Sequence, residues 1–155
     1  MMQAGEVVEI FIGPEFTRPM APVDSVKAVA GRGLEGDRYY RPDEAPDSHP
    51  DEEITLIESE AITAAQAETD VVFGPEDTRR NIVTRGVRLD DLVGQSLSVG
   101  EVVVEAIELN PACAYLVKIT GKPFLKQLVH RGGVRGRIVS TGVIRRGDII
   151  RPNLQ

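Results

Sequence analysis

Short apolar runs, each closed by glycine or proline, dominate the chain. Residues 7–12 (VVEIFI) end at Gly13-Pro14, and residues 23–29 (VDSVKAV) end near Gly31. Further runs are 54–57 (ITLI), 81–84 (NIVT), 96–99, 102–109, 137–141 (RIVST), 143–144 and 149–150. Glycines Gly86, Gly100, Gly142 and Gly147 stand between or after them. Runs of this length, rich in Val and Ile, predict strands. The Gly100-Glu101 pair between two of them predicts a tight hairpin. Strands so short and so regularly punctuated predict a mainly β chain with a few short helices (α+β), folded as a compact barrel or sandwich.

Helical signals are few. Residues 59–68 (SEAITAAQAE) are Ala-rich, with Ser59 at the start as a cap. Residues 123–129 (PFLKQLV) place Pro in a first turn and bring Phe124, Leu125, Leu128 and Val129 to one side. Residues 89–93 predict a single turn. Residues 40–53 contain three prolines and a run of acids without apolar periodicity, which predicts a mobile, solvated loop. Neither flank of that loop holds enough strands for a core of its own. One domain over residues 1–155 is therefore expected, in keeping with the length.

Charge is unevenly distributed. The chain has net charge −6, but residues 1–77 carry 18 acids and 5 bases, whereas residues 78–155 carry 6 acids and 13 bases. Of the 18 basic residues 14 are Arg, whose planar fork of donors suits carboxylates and phosphates. Either the two halves pair with each other, or the second half builds an anion site from Arg79, Arg80, Arg85, Arg88, Arg131, Arg135 and Arg137. The overall negative charge argues against a nucleic-acid binder, and aromatic residues at 5% argue against a base-stacking platform. No apolar run has the length of a membrane span, and the N-terminus lacks a basic leader region. With a single cysteine, these features point to a cytoplasmic, reducing location and no membrane partner. The oligomeric state is open.

Cys113 is the first candidate for chemistry. It follows a strand exit at Asn110-Pro111 and precedes a helical stretch. An exposed thiol there, near arginines, would be a reactive thiolate, whereas a buried one would be packing. A lone cysteine excludes a CxxC pair, and neither His49 nor His130 has metal-ligand spacing, so no zinc is expected. His130 could orient Cys113 or simply stand as a cation near a helix end. Two glycine segments stand out. The first, residues 31–38 (GRGLEGDR), fits no nucleotide fingerprint, and its Asp37 and Arg38 could form an ion pair. The second, residues 131–137 (RGGVRGR), combines three glycines with three arginines and could cradle an oxyanion or phosphate, or merely link helix to strand.

In order along the chain, the motifs are Gly33-Leu34-Glu35-Gly36-Asp37-Arg38, Ile54 to Glu58, Arg80-Asn81-Ile82-Val83, Gly86-Val87, Cys113, Gly132-Gly133 and Gly142 to Asp148. This series resembles the MOSC domain, found at the C-terminus of molybdenum-cofactor sulfurases and as stand-alone bacterial proteins. The resemblance spans roughly residues 23–150 and implies a barrel-like fold. It implies a role as a sulfur carrier or molybdenum-cofactor (molybdopterin) protein, with Cys113 the carrier or the metal ligand. A pyridoxal-phosphate-dependent cysteine desulfurase or a molybdoenzyme would be its partner. Related members reduce N-hydroxylated compounds at molybdenum. Arg38, Arg80, Asn81, Arg131 and Arg135 are the expected cofactor-binding residues. The sequence departs from close relatives at Asn110, where a second cysteine is often found, so self-resolving disulfide chemistry is not expected. Two other classes remain in view: a non-catalytic module binding a phosphorylated small molecule or a partner protein, and a thiol peroxidase-like enzyme.

Overall fold

The computed structural model describes residues 4–17 and 19–153. Its strands are β1 (Gly5–Ile12), β2 (Ala21–Val23), β3 (Ser25–Val29), β4 (Gly33–Leu34), β5 (Ile54–Glu58), β6 (Ile82–Arg85), β7 (Ser96–Val99), β8 (Val102–Leu109), β9 (Val134–Ile138), β10 (Gly142–Arg145) and β11 (Ile149–Asn153). The helices among the described residues are α1 (Ser59–Gln66) and α2 (Ala114–Thr120), and four 3-10 turns lie elsewhere along the chain.

Seven strands close a barrel. Its order is β11-β7-β8-β9-β5-β6-β1, and β1 returns to β11, with β2 added on the outer edge of β1. Closure removes the free edges that a short-stranded sheet would otherwise expose. All pairings in the ring are antiparallel except β5 with β6, which are bridged by α1. A second sheet, β10-β3-β4, contributes Val26, Ala28, Leu34 and Ile144 to the barrel interior.

The two-residue period of a strand explains the continuous apolar runs. On β1, Ile10 faces the barrel interior, while Phe11 joins a second cluster outside it. Leu56 and Ile57 on β5, and Ile82 and Val83 on β6, divide in the same way. These strands are buried on both faces, so they read as unbroken hydrophobic stretches. The outer cluster is built by Ile62 and Ala65 of α1, Leu116 of α2, and Phe73 stacked on Phe124 at 4.6 Å.

The structure corrects four local expectations. Residues 23–29 are not one strand: the chain bends at Asp24, and the two pieces join different sheets. Ser59 does not cap α1; Glu58 occupies the N-cap, without a side-chain cap bond. Residues 123–129 form only a 3-10 turn at Lys126–Leu128, and the helix lies earlier, at α2. Residues 40–53 are not a free loop. Arg32 Nη1 donates to the carbonyls of Arg41, Pro42 and Glu44, and Arg41 pairs with Glu52 at 2.8 Å. This strap ends in a 3-10 turn, Pro50–Glu52, against β9.

Candidate functional site

The exit of β8 positions the cysteine. Asn110 still pairs with the barrel through its N–H to the Gly133 carbonyl at 2.8 Å, and Pro111 then stops the ladder. Cys113 stands at the N-cap of α2 and is exposed. Three contacts anchor the segment around it. The Tyr115 hydroxyl donates to the Phe16 carbonyl at 3.3 Å, Lys122 pairs with Asp77 at 2.8 Å, and Phe124 is fully buried.

Cys113 opens onto a cleft of about 320 Å³. Four arginines line it: Arg38, Arg79, Arg80 and Arg135. Tyr39 and Tyr115 give it aromatic walls, and the strap contributes Asp51 and Glu52. Arg38, from the loop after β4, pairs with Asp37 at 3.3 Å and lies over the Tyr39 ring at 4.8 Å. Arg79 adopts a left-handed backbone (φ 59°) and donates to the Glu15 and Phe16 carbonyls. Burial lowers its pKa, and the nearby Arg38 charge lowers it further. Arg135 on β9 is held by Glu108 at 2.9 Å.

Arg80 differs from the others. It is 8% exposed, and among the described residues no carboxylate lies within 4 Å of it. Its guanidinium donates only to carbonyls, those of Asn110 at 2.6 Å, Gly132 at 2.8 Å and Thr78 at 3.4 Å. Burial pulls its pKa down to about 10; negative charge at Cys113 acts in the opposite direction, and Arg135 and Arg38 reinforce the fall. Arg80 is therefore cationic at neutral pH, and its charge is met by dipoles rather than by an acid. A buried charge in that condition favours an anionic ligand beside it.

The structure separates the other sequence candidates. Asn81 does not line the cleft. Its Nδ2 donates to the Phe11 carbonyl and Asp37 Oδ1, and its Oδ1 accepts from the Thr55 N–H and hydroxyl. All its polar capacity is used in tying β1, β5 and the Gly-Asp-Arg loop together. Arg131 is not in the cleft. It pairs with Glu68 at 2.7 Å and faces a separate hollow of about 420 Å³ with His130, Glu58, Glu60 and Asp90. His130 does not line the cysteine cleft; it faces this hollow and a smaller one beside Asn110 and Pro111. Arg85 and Arg137 are also paired, with Glu6 and Glu105, and Arg88 lines the second hollow.

The Gly-Gly segment is not an open cradle either. A side chain on Gly132 would meet the Asn110 carbonyl, and one on Gly133 (φ 84°) would meet the Leu56 carbonyl. Both glycines serve close strand approach. Tyr39 and Tyr115 are cleft residues that the sequence reading does not single out; their adjacency to Arg38 and to Cys113 is the signal that could have found them. Among the described residues, no group of three His, Cys, Asp or Glu side chains is placed to hold a metal. The soft ligand atom available in the cleft is the Cys113 sulfur.

Comparison with known proteins agrees with this architecture. The MOSC domain family model matches residues 43–151. No curated protein matches the sequence. Among solved structures, the YuaD protein of Bacillus subtilis is similar over 100% of both chains, with TM-score 0.80 and 14% identity. YiiM of Geobacillus stearothermophilus is similar over 97% of this chain and 75% of its own, with TM-score 0.71 and 18% identity. YiiM of Escherichia coli gives TM-score 0.68 and 16% identity over 100% of this chain and 71% of its own. At these identities the likeness is one of fold. No helix among the described residues is long and apolar enough to cross a membrane.

Proposed function

The chain belongs to the MOSC domain family, and on that premise we propose that it is a sulfur-carrying or molybdenum-cofactor-binding protein whose working group is Cys113. The observation that carries the proposal is the pairing of an exposed thiol with a buried guanidinium, Arg80, that has no acidic partner among the described residues.

In sulfur transfer, the Cys113 thiolate attacks the terminal sulfur of a donor persulfide, such as one on a pyridoxal-phosphate-dependent cysteine desulfurase. A new S–S bond forms at Cys113, the donor S–S bond breaks, and the donor cysteine leaves as thiolate, so no oxidant is consumed. The persulfide product is itself an anion, and Arg80 and Arg135 are the charges that would hold it. With no second cysteine in the chain, release requires an acceptor outside it. The same residues fit an anionic molybdopterin, with Cys113 as the soft metal ligand and Arg38, Arg80 and Arg135 on its charged groups. When bound, that cofactor supplies a redox centre for reduction of substrates such as N-hydroxylated compounds. Exposure of the thiol weighs against the reading in which Cys113 is packing inside a non-catalytic binding module.

The test compares wild type with C113S. After incubation with a cysteine desulfurase and cysteine, intact mass should show one added sulfur on wild type only. Protein purified from a host that makes the cofactor should carry molybdenum in wild type and much less in C113S. Wild type showing neither property, or C113S retaining both, overturns the proposal.

A further inference from the structure

Glu53 lies outside the cleft, yet it is a buried acid at 2% exposure. Its Oε1 accepts the Ile138 N–H at 2.8 Å. Its Oε2 is buried and has no hydrogen-bond partner among the described residues. The position explains the arrangement. Glu53 joins the 3-10 turn at the end of the strap to β5, where the last rung with β9 is Ile54 opposite Gly136. Its carboxyl group takes the place of the next rung.

The groups facing it do not compensate a charge there. Asp47, from the strap, repels it. Arg137, from β9, attracts it but already holds Glu105 at 2.9 Å and Asp47 at 3.8 Å. The Gly31 N–H, from the loop after β3, also faces it but donates to the Ile138 carbonyl at 3.2 Å. Burial raises the Glu53 pKa, the repulsion from Asp47 raises it further, and the Ile138 and Gly31 amides and Arg137 offset only part of the rise. An ionised carboxylate with one orphaned oxygen is costly at such a place, and a neutral carboxyl much less so.

We propose that Glu53 is a pH-governed latch: neutral, it tightens the docking of the acidic strap of residues 42–52, which Arg32 and Arg41 also hold, and ionised, it loosens the strap so that it opens from the cysteine cleft more often. The strap supplies Asp51 and Glu52, the two acids in the cleft lining. Its departure leaves Arg38, Arg79, Arg80 and Arg135 less screened, so the cleft attracts anions more strongly as pH rises. This last consequence rests on the anion-cleft reading above; the latch itself does not.

The sign follows from linkage. The docked-state pKa is raised, so docking is at full strength below the free-strap pKa. It weakens as pH rises through the docked-state pKa, by at most about tenfold per pH unit. His49 lies within 3.5 Å of Glu44 and 4.0 Å of Glu52, so its contacts with the strap acids must be separated from the effect of Glu53.

Amide hydrogen exchange from pH 5 to 9, corrected for intrinsic rates, makes that separation. In wild type, protection of residues 43–52 should fall severalfold across the range while protection of β7 and β8 stays level. In E53Q, which keeps the Ile138 bond and His49 but cannot ionise, it should stay nearly flat. Level strap protection in wild type, or the same fall in E53Q, overturns the latch. Should E53Q not fold, wild type decides alone through the contrast between the strap and β7–β8, with H49Q as the second variant; a fall that H49Q abolishes overturns the latch. In parallel, Cys113 is alkylated with iodoacetate and iodoacetamide, whose rate ratio cancels thiol ionisation. A ratio that rises with pH in wild type supports the link to the cleft. A strap that opens without any change in the ratio overturns that link, and a ratio no higher than that of the unfolded chain at every pH refutes the anion cleft instead.

Discussion

Replacing Asn81 with aspartate separates a structural role from a ligand-binding one at the Arg-Asn motif. Asn81 is 4% exposed and Asp37, beside it, 6%. The Asn81 Nδ2 donates at 3.1 Å to the Phe11 carbonyl and at 3.4 Å to Asp37 Oδ1. In N81D an oxygen occupies that place. The Phe11 carbonyl loses its side-chain donor, and two carboxylates meet in a buried site where Arg38, at 3.3 Å, the more distant Arg79 and the Gly13 N–H already serve Asp37. Unmade buried hydrogen bonds cost about 1–3 kcal/mol each, and an uncompensated buried charge about 3–5 kcal/mol. Since the two penalties overlap, N81D should lose about 3–5 kcal/mol, a large share of the roughly 5–15 kcal/mol that holds a domain of this kind. Urea unfolding at pH 7 reads the loss. It should shrink as pH falls, because the introduced carboxyl, once protonated, can again donate to the Phe11 carbonyl; burial beside Asp37 favours its neutral form in the folded state, so the loss relative to wild type is smallest below the ordinary carboxylate range. A variant within about 0.5 kcal/mol of wild type at pH 7, or a loss relative to wild type that grows in acid, would refute the structural role and return Asn81 to the ligand-facing residues.

Other expectations are as specific. G133A forces a left-handed residue and a contact with the Leu56 carbonyl, so it should lower the thermal midpoint strongly or prevent soluble expression, whereas G94A, also left-handed but with open space around it, should be much milder. R80M should slow iodoacetate labelling of Cys113 severalfold relative to iodoacetamide labelling. R131A, a change on another face, should leave both rates unchanged; an equal effect of the two variants would contradict the assignment of Arg80 to the cleft.

Much of the barrel was legible because its strands are short Val- and Ile-rich runs that end at glycines with positive φ, such as Gly86, Gly100 and Gly147. The hairpin at Gly100-Glu101 forms as expected, with Val99 opposite Val102. What one-dimensional pattern misses is where a run changes sheet: the polar Asp24 inside residues 23–29 marks the bend, but an alternating run reads the same on either side of it. The helix α2 (AYLVKIT) contains β-branched Val117, Ile119 and Thr120 and buries only Leu116 fully, so neither propensity nor periodicity announces it. Residues 123–129 have the right period, yet Phe124 and Leu128 reach the outer cluster through a turn rather than a helix.

The cleft was legible in kind but not in membership. Arginine excess in the second half of the chain pointed to an anion site, but a sequence does not reveal which guanidiniums acids on other elements will occupy. Arg85 and Arg131 are taken by Glu6 and Glu68 of the acidic first half, and Arg137 by Glu105 of the second. Arg80 escapes because the groups around it are the backbone carbonyls of Asn110 and Gly132, which the Gly-Gly segment brings close.

Native-state alkylation of wild-type Cys113 at low ionic strength tests the central claim most directly. The claim predicts prompt labelling, with iodoacetate favoured over iodoacetamide well beyond the ratio seen for the urea-unfolded chain and the preference fading as salt is added. A thiol that reacts only on unfolding, or a reagent ratio indistinguishable from that of the unfolded chain, would contradict it.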